Sequence, residues 1–221
     1  MTTLLRVDAS IRVDGSVSRA LADSAEAAWK AEHPDGIVVR RDLGRHPLPG
    51  DAWPALINAE FGFPPIPDAS HGDVAAARAL AAELSQEIRD ADAVLLAIPL
   101  YNYGISQHVK TWMDLLLSDR ELLAGEILRD KPVIFTLARG GGYSPGTPKE
   151  GWDHATPYLE RIFGEVLNMN IRKAVAELTL APVTPGMETL IDASKVSEEE
   201  AHAEAEKHAT VVARDLTSAA A

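Results

Sequence analysis

The chain has 221 residues and no cysteine, and its 21 Lys and Arg against 33 Asp and Glu leave a formal net charge of −12. This length suits a single α/β domain over 1–221, and the lack of cysteine removes disulfides, thiolate nucleophiles, Fe–S clusters and Cys-based zinc sites. The acidic balance argues against nucleic-acid binding and against docking on an anionic membrane, because both depend on Lys and Arg.

Met1 to Asp8 lacks the long apolar region of a signal peptide, and the apolar stretch Ala93 to Ile98 is far too short for a membrane span. A cytoplasmic, soluble protein is expected. Leu4, Leu5 and Val7 begin an apolar run that ends at Ser10 and predict the first strand. Leu21, Ala25, Ala28 and Trp29 then share a helical face, and Ile37 to Val39 is a second strand candidate.

Between Gly44 and Gly72 lie Pro47, Pro49, Pro54, Pro64, Pro65 and Pro67, together with Trp53, Phe61 and Phe63. A long loop is expected there, its aromatics packing against something such as a second subunit. Leu80, Ala81, Leu84 and Ile88 form the next helical stripe. Val94 to Ile98 is continuous rather than alternating, so it reads as a strand buried on both faces. Val109, Trp112, Met113 and Leu116 mark a third helix, and Pro132 to Leu137 a fourth strand.

A Gly- and Pro-rich loop follows from Gly140 to Asp153, and then Leu159, Ile162, Phe163 and Val166 mark another helix. A fifth strand is expected at Ala174 to Leu180, and Glu198 to Glu200 read as the solvated start of a last helix carrying Ala201, Ala205, Ala209, Val212 and Leu216. Five alternations of strand and helix predict a doubly wound parallel sheet covered by helices on both faces. The expected strand order is 2-1-3-4-5, with ligands at the carboxyl ends of strands 1, 3 and 4.

Three loops fall at those ends. Ser10 to Ser18 combines small hydroxyl residues with Gly15 directly before a helix, which makes an anion site from free N–H groups and the helix dipole; Ser10, Ser16, Val17 and Ser18 are candidates, with Arg12 adding charge. An ordinary helix cap is the competing reading of this loop. Pro99, Leu100, Tyr101, Asn102 and Tyr103 precede Gly104 and suit a flat heterocycle. Ala138, Arg139, Gly140 and Gly141 allow close backbone approach beside a fixed positive charge.

Other motifs fail. Gly142 to Gly146 has the letters of a serine-hydrolase elbow, yet Pro145 has no N–H for the oxyanion hole. His202 and His208 are six apart, on different helix faces, so no metal site is expected. His108 beside the second loop reads as a surface residue.

The residues resemble the FMN-dependent NADH:quinone and azo-compound reductases of the flavodoxin-like superfamily over nearly the whole chain. The likeness rests on Ser10, Ser16 and Ser18, on Pro99 to Tyr103 with Ile105, on Arg139 to Gly141, and on Thr156 to Leu159. It implies FMN as cofactor, its phosphate on the serine loop, its ring between Leu100–Tyr103 and Ala138–Gly141, and NADH or NADPH as hydride donor. It further implies ping-pong transfer to quinones, with azo or nitro compounds as other acceptors, in a homodimer. Tyr103, Tyr143 and Glu165 would line the substrate pocket.

Ala138 stands where the family usually has Ser, Glu165 where an aromatic is common, and Ser118 to Gly125 replaces a stretch that carries an aromatic. The alternatives are a pathway-specific flavin or natural-product reductase and a non-enzymatic flavodoxin-type electron carrier.

Overall fold

The computed structural model describes residues 1–64 and 72–219. Its strands are β1 (Thr3–Asp8), β2 (Ile37–Asp42), β3 (Ala93–Pro99), β4 (Pro132–Ala138) and β5 (Asn170–Ala176), all parallel in one sheet ordered β2-β1-β3-β4-β5. This is the expected order. Leu5 pairs with Val39 on one side and Val94 on the other, and Leu96 with Phe135.

The helices are α1 (Val17–Glu32), α2 (Ala52–Phe61), α3 (Val74–Asp90), α4 (Gln107–Leu116), α5 (Arg120–Leu123), α6 (Thr156–Leu159) and α7 (Ile191–Ala219), with α6 continuing into a π-helical stretch Glu160–Val166. Alternate strand residues face opposite sides and so feed two cores. Leu5, Val7, Val94, Leu96, Ile98 and Phe135 pack against Leu84 and Ile88 of α3, Trp112 and Met113 of α4, and Leu159 and Phe163. Leu4, Leu95 and Ile134 meet Ala25 and Trp29 of α1 and Ala205, Ala209 and Val212 of α7. Small alanines let these last two helices lie close to the sheet and to each other.

Three expectations need correction. The Pro-rich segment is not all loop, because Ala52–Phe61 forms α2 and buries Ala52, Ala55 and Leu56. Pro54 sits in its first turn, where no intrahelical N–H bond is lost, and Gly62 ends it at φ 65. Pro65 and Pro67 lie outside the described residues.

The fifth strand begins earlier and ends earlier than Ala174 to Leu180. As an edge strand it carries Arg172 and Lys173 within its length, which breaks the apolar run, and Leu178 at φ 60 lies beyond its end. Finally, α7 starts at Ile191, so Glu198 to Glu200 lie inside it. Its early turns are anchored by buried Ser194 and by Ser197, whose Oγ accepts the Glu177 N–H at 2.9 Å, rather than by an apolar stripe.

Candidate functional site

In this strand order β1 runs on to a neighbour on one side while β3 lies on the other, and a crevice opens between their carboxyl ends. A cleft of about 120 Å³ lies there. It is lined by Ser10, Arg12, Ser16, Val17 and Ser18 after β1, by Pro99, Leu100 and Tyr101 after β3, and by Ala138 and Gly140 after β4. The structure thus brings residues of all three loops together.

The first loop is built around serine hydroxyls. Ser10, Ser16 and Ser18 are 2%, 8% and 1% exposed. Ser10 Oγ accepts the Arg12 N–H at 3.2 Å and lies 3.3 Å from the Tyr101 hydroxyl, while Ser16 Oγ and Ser18 Oγ are 3.4 Å apart. Hydroxyl pairs usually close to about 2.7–2.8 Å, so these buried groups retain capacity for a ligand oxygen. Ser16 holds the cap position of α1, yet its side chain makes no capping bond, and the first turn has no acidic residue. The free N–H groups and dipole of a sixteen-residue helix therefore face the cleft.

Arg19 fixes the loop from behind. It donates to Ser10 O at 2.7 Å and Arg12 O at 3.1 Å while its other bonds hold Asp42 at 2.7 and 2.8 Å. Its charge is matched by Asp42. Arg12, by contrast, is exposed and makes no ion pair among the described residues.

In the second loop Tyr101 and Gly104 exchange both backbone hydrogen bonds, at 3.0 and 2.9 Å. They close a two-residue turn whose central residues, Asn102 at φ 48 and Tyr103 at φ 69, are both left-handed. Such a turn usually takes Gly or Asn. A tyrosine there is strained by about 1–3 kcal/mol, a cost found mostly at functional positions. The His154 N–H holds it by donating to Tyr103 O at 2.9 Å. Tyr101 also accepts the Ile11 N–H at 3.3 Å, and Leu100 N–H reaches Ala138 O at 2.8 Å, so the three loops are mutually tied.

The third loop differs from expectation in one side chain. Arg139 directs its guanidinium away from the cleft lining, to Asp153 at 2.7 Å, Glu177 at 2.9 Å and Thr156 Oγ1 at 3.0 Å. Two carboxylates match its charge, so it joins the loops after β4 and β5 rather than presenting a free cation. Gly140 lets the Leu180 side chain lie close over the loop: an added Cβ would fall 2.6 Å from Leu180 Cδ1 and the leucine would have to turn aside. Gly141 lies against Lys149.

Thr179 and Leu180 also line the cleft. They were assigned to a strand by sequence, and the one local sign against it is Pro182 two residues on. Asn102 and Ile105 border a second hollow of about 430 Å³ with Ile11 and His108. Tyr143 N–H donates to Glu177 Oε1 at 2.9 Å, and its ring meets Tyr103 edge-on with centroids 6.4 Å apart. Burial, with the nearby Tyr103 and Asp153 adding to it, pushes the Tyr143 phenol above its ordinary pKa. Glu165 is placed elsewhere: its side chain is 62% exposed and pairs with Arg161 at 3.1 Å. The Glu198–Glu200 run and His202 take no part; His202 Nδ1 lies 2.8 Å from Ser24 Oγ.

A third hollow, of about 420 Å³, lies between α2, α3 and Ser118–Asp119. Its acids, Glu60 and Asp119, already pair with Arg120 and Arg89. It lies by the end of α4, opposite the strand carboxyl ends.

Fold and loops together define a doubly wound parallel-sheet protein with a three-loop cleft at its switch point. A family model described as flavodoxin-like fold matches residues 2–209. A protein of Frankia casuarinae named FMN-dependent NADH:quinone oxidoreductase is 38% identical, over 96% of this chain and 100% of its own. One of the same name from Streptomyces coelicolor is 34% identical over 99% and 98%. The crystal structure of an azoreductase from Bacillus anthracis superposes with a TM-score of 0.74 at 27% identity, covering 95% of this chain and 99% of that one. The chain belongs to the flavodoxin-like family of FMN-dependent NADH:quinone oxidoreductases.

Proposed function

We propose that this chain is an FMN-dependent oxidoreductase acting on quinones, and also on azo or nitro compounds. The observation that carries the reading is the convergence of the three loops on one cleft beneath an uncapped helix N-terminus. When bound, FMN supplies hydride acceptance from NADH or NADPH and hydride delivery to the acceptor, in alternating ping-pong half-reactions.

The chain itself binds and orients. The N–H groups of α1, the hydroxyls of Ser10, Ser16 and Ser18 and the charge of Arg12 would hold the phosphate, beside Val17. Pro99, Leu100, Tyr101, Asn102 and Tyr103 would hold one part of the ring system, and Ala138, Gly140, Gly141 and the backbone of Arg139 another. Because FMN would carry the hydride chemistry, no dedicated acid–base side chain is required. Tyr103 and Tyr143 form an aromatic wall for the second substrate; Glu165, turned to solvent, is not part of it in a single chain.

Residues 1–221 act as one cytoplasmic domain, in a homodimer and without nucleic-acid partners. Exposed Trp53, Phe61 and Phe63 on and beside α2 support a second copy, with the two phenylalanines stacked at 5.7 Å. No helix among the described residues is long and apolar enough to cross a membrane.

The test is an anaerobic titration of FMN-loaded protein with NADH, following the visible flavin band. Stoichiometric bleaching is expected. Bound flavin left oxidised by both NADH and NADPH would favour the electron carrier, and failure to bind flavin would remove the site assignment.

A further inference from the structure

The cations around the three loops divide into two kinds. Arg19 is matched by Asp42 and Asp8, and Arg139 by Asp153 and Glu177. Arg12 and Lys149 have no carboxylate within ion-pair distance among the described residues. Arg12 belongs to the serine loop. Lys149 belongs to the loop after β4, where its Nζ lies 5.6 Å from the ring centroids of both Tyr103 and Tyr143 and 3.3 Å from where a Gly141 Cβ would be. Trp152 supports the same ring from another side, edge-on to Tyr103 at 5.4 Å.

Two aromatic faces hold an ammonium in place without neutralising it, unlike a carboxylate. Tyr143, with its phenol pushed up by burial, stays uncharged at neutral pH and leaves that charge intact. In a chain of net charge −12, an unmatched cation beside a ligand cleft is a local exception that attracts anions. The strained backbone of Tyr103 puts the supporting ring there.

We propose that Lys149 is a specificity-determining residue that recognises an oxyanion group on the aromatic molecule entering beside Tyr103 and Tyr143. The group is a phosphate, sulfonate or carboxylate; it belongs either to the donor dinucleotide or to an acidic acceptor. This rests on reading the cleft as the flavin site, and it is separate from phosphate binding at the serine loop.

The test uses FMN-loaded protein and two ligands of similar ring size, a naphthalenesulfonate and a neutral naphthol, titrated by calorimetry. Lys149→Gln is expected to weaken the sulfonate about tenfold, the scale of one charge-assisted hydrogen bond, and to leave the naphthol unchanged. Lys149→Arg should recover the sulfonate. Equal weakening of both ligands would make Lys149 a loop clamp, and no change in either would remove it from recognition; both outcomes overturn the proposal.

A raised KM for NADH with kcat retained in Lys149→Gln would place the oxyanion on the donor, and an unchanged KM on the acceptor. Wild-type protein that cannot oxidise NADH with a naphthoquinone would sink the proposed function, while the ligand ratio would still decide Lys149.

Discussion

The hydroxyls of Ser10 and Tyr101, 91 residues apart in sequence, stand 3.3 Å from each other across the carboxyl edge of the sheet. Tyr101 also accepts the Ile11 N–H, so one phenol joins the loop after β1 to the loop after β3. Tyr101→Phe keeps the ring and removes both contacts. It should lower stability by about 0.5–1.5 kcal/mol in urea unfolding and weaken FMN binding. Unchanged values of both would show that the phenol only fills space.

Arg139 is a second junction, between Asp153 and Glu177. Arg139→Met leaves two largely buried carboxylates without their cation, and a loss of about 3–5 kcal/mol is expected. Thermal unfolding of the flavin-free variant isolates this effect from cofactor binding. If the variant instead melted like wild type but lost only FMN, its guanidinium would be acting on the ligand.

Gly44 allows the chain after β2 to pass against the serine loop: an added Cβ would lie 2.0 Å from Ser10 O. A backbone carbonyl cannot rotate away as a side chain can. Gly44→Ala should therefore cost at least about 1–3 kcal/mol and displace Ser10, reducing FMN affinity as well as stability. Gly50, where an added Cβ meets nothing within 4 Å, provides the control.

Asp42 and Asp119 predict the acid limb of the stability curve. Burial is the largest single influence and pushes each carboxyl up. The hydrogen bonds from Arg19 and the Arg45 N–H to Asp42, and from Arg89 and the Glu121 and Leu122 N–H groups to Asp119, together with the arginine charge at Asp42, outweigh it and hold both below their ordinary 3.8. A carboxyl lowered in the folded state adds stability that is complete above its unfolded pKa and disappears as pH falls through the folded one. Melting temperatures followed from about pH 6 to about pH 3 should fall less steeply in Asp42→Asn than in wild type. Parallel curves would show that Asp42 makes no contribution to the acid limb.

Much of this architecture was legible in local pattern. Val94 to Ile98 has no polar interruption and became a fully buried strand; Val109, Trp112, Met113 and Leu116 share a face and became the buried side of α4. Three ligand-type loops could be assigned because strand order determines which carboxyl ends become neighbours. The failures also have local causes. α2 was hidden by proline density, although Pro54 is harmless in a first turn, and β5 was displaced because Arg172 and Lys173 masked an edge strand.

The handedness of crossovers narrowed the sheet order to a few topologies, of which 2-1-3-4-5 is the expected one. The sequence by itself determined the strand–helix rhythm and the residue types in the loops that follow the strands. Tertiary structure alone decided which charges remain free there. Asp153 and Glu177 take Arg139, Asp42 takes Arg19, and Lys149 is left over two tyrosine rings. These partners come from separate elements, and spacing along a chain carries no record of which side chains meet when a sheet brings distant loops together.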